Sequence, residues 1–287
     1  MIGRLLLVLG VAFGATLVVF SNLLNAAGWS PFEIAGVRGI IGLPIMAALL
    51  GRRAFVRRTH VKDLVLTSTA FALGGVFYFF ALRYATPGVV ISILYLGPVW
   101  VVVCENHWTF RKAVAMLLGF VGTAVAAGTG PQHAESLGML FALLGSGSWA
   151  TFTLANRRLG KTGVEPLVIG FWALAAAVLL FGWTTVVAVP HWSWTSLGLC
   201  LGMGVVTGAG YLWLVSYGTH HCKSDAEAGI LQYMEIPFVL LFSFAFLGEA
   251  ATFNVIFGSA CIIASGILIS LPSITAKVPT PSAASSD

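Results

Sequence analysis

Polar positions along this chain fall in short intervals, and the apolar stretches between them are about as long as a helix that crosses a bilayer. Ten such stretches are legible: 4–25, 32–50, 63–83, 88–105, 112–129, 137–157, 165–188, 195–217, 226–247 and 253–272. Crossing the hydrocarbon takes about 20 mostly apolar residues in a helix. Lipid offers no partner for backbone N–H or C=O groups, so helices that satisfy them internally are the expected elements. The first stretch, Leu5 to Leu24, is long for the core of a cleaved leader and resembles a later segment, so it reads as a retained helix. The expected fold class is therefore an all-α integral membrane protein with ten transmembrane helices. Residues 273–287, rich in Pro, Ser and Ala, read as a disordered cytoplasmic tail.

Composition leads the same way. Hydrophobic residues make up 58% of the chain, charged residues 9%, and mean hydropathy is +0.95. Soluble domains carry roughly a quarter charged residues, so this surface faces lipid and a water-soluble globular class is excluded. The net charge of +5 could suggest a nucleic-acid partner. Its distribution argues otherwise. With a cytoplasmic N-terminus, the inner segments hold Arg4, Arg52, Arg53, Arg57, Arg58, Lys62, Arg111, Lys112, Arg157, Arg158, Lys161, Lys223 and Lys277, which is 13 of the 15 basic residues. The positive-inside rule then puts both termini in the cytoplasm and accounts for the charge without nucleic acid; the plasma (inner) membrane is the expected location. The four cysteines are scattered with no CxxC or metal spacing, so no disulfide, metal or other cofactor is expected.

The halves of the chain resemble each other. "LGVAFGATLVVFSNLLNAAGWSPFEI" (9–34) lies over "LGSGSWATFTLANRRLGKTGVEPLVI" (144–169) without gaps, with eight identities that include Gly28/Gly163 and Pro31/Pro166. Further along, Pro98 pairs with Pro237 and Gly119 with Gly258. Each half, 1–130 and 136–272, thus holds five helices. Because five is odd, the second copy enters the membrane from the opposite side. Two inverted five-helix repeats are an architecture of secondary transporters.

Four segments carry a family resemblance: the first helix, "SPFEIAGVRGIIGLP" (30–44), "FALRYATPGVVISILYLGPVWVV" (80–102) and "ILQYMEIPFVLLFSFAFLGEAATF" (230–253). Together they resemble the EamA-type transporters of the drug/metabolite transporter superfamily, over roughly residues 4 to 271. The resemblance implies a bundle around a central substrate pathway, mostly in exporters of amino acids and related metabolites. Arg38 matches the arginine usual in the family's second helix, and the "LGE" ending at Glu249 its motif after helix nine. The first half departs from that motif, with Phe110 opposite Glu249.

Charged side chains inside a membrane cost about 2.5 kcal/mol or more, so each asks for a reason. Arg38 sits inside helix two and Glu235 inside helix nine. Their repeat mates are Ala173 and Leu96, so the charges are private to one half of a duplicated scaffold. One reading is structural, with Arg38 neutralised by Glu235 or by Glu33. The other gives Arg38 to a substrate carboxylate and Glu235 to proton coupling. Pro98 and Pro237 each remove a backbone donor, leaving the carbonyls of Leu94 and Tyr233 without their usual partners. Two related kinks follow, with Tyr95, Gln232, Tyr233 and Glu235 around them; Gln232 and Glu235 share a helix face.

Tyr78, Tyr95, Trp149, Gln232 and Tyr233 are the candidate lining of a substrate site, although a membrane aromatic more often packs than binds. Trp149 stands out because its repeat mate is Gly14, and a ring opposite a glycine leaves an asymmetric cavity. Gly204 and Gly208 make a GxxxG spacing in a glycine-dense helix eight, suited to close packing and possible as a hinge.

The reading these residues support is a secondary transporter, an exporter of amino acids or related small metabolites that works by alternating access and exchanges protons through Glu235. Its partners would be a small-molecule substrate, protons and the lipid bilayer. A cationic drug with Glu235 as counter-ion is an alternative; phosphorylated cargo would ask for more intramembrane cations than Arg38 alone. A membrane acyltransferase built on His220 and Asp225 is the alternative from another class, without a supporting motif.

Overall fold

The computed structural model describes residues 2–54, 60–97, 100, 110–127, 133–187, 192–221, 231–249 and 252–270. Among these, every regular element is a helix. Local chemistry explains most of the boundaries. Ile2–Ala15 and Leu17–Ala26 form one 25-residue apolar segment interrupted at Thr16. There the hydroxyl donates to the Phe13 carbonyl at 2.7 Å and competes with the helix for that acceptor. Gly28, at φ 90°, lets the chain reverse. Pro31–Leu50 then starts on a capping box: Ser30 Oγ accepts from the Glu33 N–H and the Glu33 carboxylate from the Ser30 N–H at 2.7 Å, with Pro31 at the first helical position.

Val61–Tyr84, Pro87–Leu94, Phe110–Ala127, His133–Lys161 and Pro166–Phe181 follow. The stretch expected over 165–188 bends at Gly182 and resumes as the short Thr184–Val187. Trp194–Gly202 and Tyr211–His220 are joined by a π-helical stretch, Met203–Gly210. A second π-helical stretch, Ser243–Leu247, ends Glu235–Phe242 before Phe253–Ser270.

Among the described residues, five helices are long and apolar enough to cross a membrane: Ile2–Ala26, Pro31–Leu50, Val61–Tyr84, Ser136–Gly160 and Trp194–Gly218. Ala113–Gly122, Pro166–Phe181, Glu235–Leu247 and Phe253–Leu268 are shorter apolar helices. The spans expected at 88–105 and 226–247 are described only in part, and Pro98 lies outside the described residues.

The helices pack in pairs. Val61–Tyr84 lies along His133–Lys161, Ile2–Ala15 along Tyr211–His220, Pro31–Leu50 along Pro166–Phe181, and Phe110–Ala127 along Phe253–Ser270. Lipid tails are as apolar as leucine, so close backbone approach must supply the association. A methyl group at Gly36 would fall 2.5 Å from the Phe181 carbonyl, one at Gly218 2.6 Å from Leu7 N, and one at Gly122 2.7 Å from the Gly258 carbonyl. Hydroxyls add polar contacts between helices: Ser265 donates to the Ala115 carbonyl at 2.6 Å, and the Ser92 and Ser259 hydroxyls meet at 3.2 Å. Trp29, Phe79, Ile91, Leu96 and Met203 are fully buried. Phe110, Leu179 and Phe253 stand exposed on the outside, as a lipid-facing surface requires.

Candidate functional site

Two helix breaks organise the centre of the bundle. One falls at Tyr95–Leu96, after Pro87–Leu94; the other at Tyr233–Met234, before Glu235–Phe242. Pro237 cannot donate to the chain four residues back, and its ring crowds the Tyr233 carbonyl. That carbonyl is not left without a partner as its position before Pro237 suggested, because the chain tightens and Ile236 N–H donates to it at 3.2 Å. The break makes Glu235 the first residue of a new helical segment. Its carboxylate therefore sits at the partially positive end of that segment.

The two breaks face each other. Tyr95 Oη donates to Glu235 Oε2 at 2.6 Å and also lies 3.2 Å from the Gln232 carbonyl. Tyr95, Gln232 and Glu235 are each only half-buried, although they stand where helices from both halves meet. Gln232 contributes through its backbone, not through the side chain that the sequence singled out.

Gly14 forms the floor. A methyl group there would lie 2.7 Å from Tyr211 Cε2 and 3.3 Å from Glu235 Oε1. At the corresponding place in the other half, Trp149 packs against Gly97, whose added methyl would meet Trp149 Cδ1 at 3.0 Å. Trp149 also stands against Phe71 and Phe152, with ring centroids 6.2 and 5.2 Å apart. It belongs to an aromatic cluster and keeps one partly exposed face.

Arg38 is nine-tenths buried on Pro31–Leu50. Its Nη2 donates to the Thr207 carbonyl at 2.8 Å, its guanidinium lies 5.7 Å from the Phe71 ring centroid, and its Nε has no hydrogen-bond partner among the described residues. Arg38 is not ion-paired with Glu235, which is bonded to Tyr95, nor with Glu33, which is engaged in the capping box. The neutralising pair is thus replaced by two separate charges. They remain within electrostatic range of each other and of Tyr78 and Tyr211.

Tyr78 and Tyr233 are buried and back the site more than they line it. Tyr233 fills the space left by the absent side chain of Gly266 and tilts against Tyr95, ring centroids 5.4 Å apart. Gly204 and Gly208 pack on the Arg38 helix: Gly204 backs onto Ile41, and Gly42 would bring a methyl within 3.4 Å of Gly208 Cα. Tyr211 and the Thr207 carbonyl were absent from the expected lining. Only the position of Tyr211, just past the glycine run of helix eight, hinted at it. The side chain of His220 and the whole of Asp225 lie outside the described residues.

The sequence model of the EamA-like transporter family matches residues 1–128 and again residues 136–271. No curated protein matches the sequence. Among solved structures, the crystal structure of one protein superposes with a TM-score of 0.65 at 18% identity, covering 93% of this chain and 95% of its own. At that identity the likeness speaks for the fold.

Proposed function

Because this chain belongs to the EamA-like transporter family, a family of multi-pass membrane transporters of small metabolites, we propose that it moves a small amphipathic metabolite, most simply an amino acid, outward across the plasma (inner) membrane. We read the fold as ten spans in two inverted five-helix repeats, with both termini cytoplasmic. Three observations support this. The family model matches twice along the chain. Ile2–Ala15 packs on Tyr211–His220 as Val61–Tyr84 packs on His133–Lys161, the same relation with the halves exchanged. Trp149, the repeat mate of Gly14, likewise stands against Gly97, the neighbour in the chain of Leu96, which is the mate of Glu235.

Transport then proceeds by rocking one half against the other around the site between them. Glu235 takes and releases the coupling proton, and Tyr95 holds its carboxylate in place. The open Nε of Arg38 receives a carboxylate of the cargo, while Trp149 and Tyr211 offer it apolar walls. The observation that carries this reading is the Glu235 carboxylate bonded to Tyr95 at 2.6 Å and not paired with Arg38, on a half-buried residue between the two helix breaks. A cationic cargo is the second reading, favoured by the same fact: the carboxylate has no cationic partner among the described residues.

Purified protein in liposomes, screened by counterflow with amino acids, sugars and cationic dyes, tests the cargo. An imposed pH gradient tests the coupling. Flux that is unchanged by the gradient sinks the proton role of Glu235, and a carrier of cationic dyes that ignores amino acids selects the second reading.

A further inference from the structure

The Met203–Gly210 stretch winds as a π-helix inside an otherwise α-helical segment. Such turns are rare, short and recurrent at functional sites. This one is supported from outside. Arg38 Nη2 donates to the Thr207 carbonyl at 2.8 Å. Gly208 presses its backbone on the Arg38 carbonyl, where an added methyl would stand 3.3 Å away, and Gly204 backs onto Ile41. From within, Thr207 Oγ1 donates to the Met203 carbonyl at 2.7 Å.

The residue that ends the π stretch is Tyr211, whose backbone N–H bonds the Val206 carbonyl. Its ring lies on Gly14, next to Glu235. If the stretch relaxed to α geometry at constant length, one flank would turn by about 100° relative to the other. The ring of Tyr211 would then leave Gly14 and Glu235.

We propose that Arg38 is a positioning residue: its bond to the Thr207 carbonyl holds the π turn and thereby sets the Tyr211 ring against Gly14 beside Glu235. One N–H of the guanidinium shapes the site, and the unpartnered Nε stays available to the cargo. The proposal deepens the reading of the Glu235 cluster as the transport site, and its test needs no cargo.

The test is fluorine NMR of the 3-fluorotyrosine-labelled full chain in nanodiscs, with the Tyr211 resonance identified by its loss in Tyr211→Phe. In Arg38→Met the Tyr211 resonance moves by more than its linewidth, while that of Tyr84 stays. In Arg38→Lys, which keeps a donor, the Tyr211 resonance holds its wild-type position. A Tyr211 resonance unmoved in Arg38→Met overturns the proposal. Deleting Val205 supplies a second arm if Arg38→Met alone does not fold. It removes the residue that the π turn accommodates and leaves both flanks in register, so adding Arg38→Met no longer moves the resonance; a shift in that background overturns the proposal. Expected NMR behaviour in a protein that moves no cargo in counterflow rejects the transport site and leaves the positioning role standing.

Discussion

Tyr95 Oη donates to Glu235 Oε2 at 2.6 Å, joining the broken helix of one half to the broken helix of the other. Each partner begins or ends a helical segment, so each is held by backbone geometry as well as by the bond. A bond to a carboxylate contributes about 1.5–3 kcal/mol. Tyr95→Phe therefore lowers transport by roughly one to two orders of magnitude while the folded fraction, read by size exclusion, is retained. Wild-type flux from Tyr95→Phe would show that the bond has no part in the cycle.

Glu235→Gln keeps the shape of the side chain and removes its ability to exchange a proton. Flux driven by a pH gradient should fall to the level without a gradient, whereas exchange of cargo at equal pH should persist. Comparing the two modes in liposomes checks this. A gradient response that survives the substitution assigns the coupling elsewhere.

Gly14→Ala places a methyl 2.7 Å from Tyr211 Cε2. Overpacking of this kind costs about 1–3 kcal/mol. The melting temperature in detergent should drop, and transport with it. Because the clash is with one ring, adding Tyr211→Ala should restore the melting temperature without restoring transport. Failure of that second change to recover stability would place the strain on another neighbour.

Gly122→Val tests packing away from the site. The new side chain meets the Gly258 carbonyl at 2.7 Å and Cys261 Cβ at 2.8 Å, between Phe110–Ala127 and Phe253–Ser270. Stability should fall by about 1–3 kcal/mol, with cargo selectivity among the surviving molecules unchanged. A changed selectivity would mean that this helix pair shapes the site.

Ser30→Ala removes one half of the capping box that opens the Arg38 helix. The expected loss is about 0.5–2 kcal/mol, read as a lower melting temperature, with Ser30→Asp close to wild type because Asp is an equally good cap.

The sequence carried the membrane class, the apolar helical segments and the presence of two charges, Arg38 and Glu235, inside apolar runs, because each follows from local composition. A charge in an apolar run is visible without coordinates, and so is a proline three or four residues after a tyrosine, as at Tyr95/Pro98 and Tyr233/Pro237. Tyr211 was harder to single out. It looks like any other membrane aromatic, and only the π turn before it and the glycine opposite set it apart. Tyr233 shows the reverse: two residues before Glu235 in the chain, it is buried, with its ring in the gap at Gly266 and tilted against Tyr95.

What the sequence determined by itself, then, is a set of apolar helices, their division into two similar halves and their membership of one transporter family, since hydropathy, proline and glycine act over a few residues at a time. Which charges meet was decided only in three dimensions. Neutralisation of Arg38 by Glu235 or by Glu33 was one of two readings the sequence left open, yet a backbone carbonyl 169 residues from Arg38 and a tyrosine 140 residues from Glu235 take up the two charges. The physical reason is that a buried charge takes the best-placed partner that packing brings to it, and sequence distance says nothing about that choice.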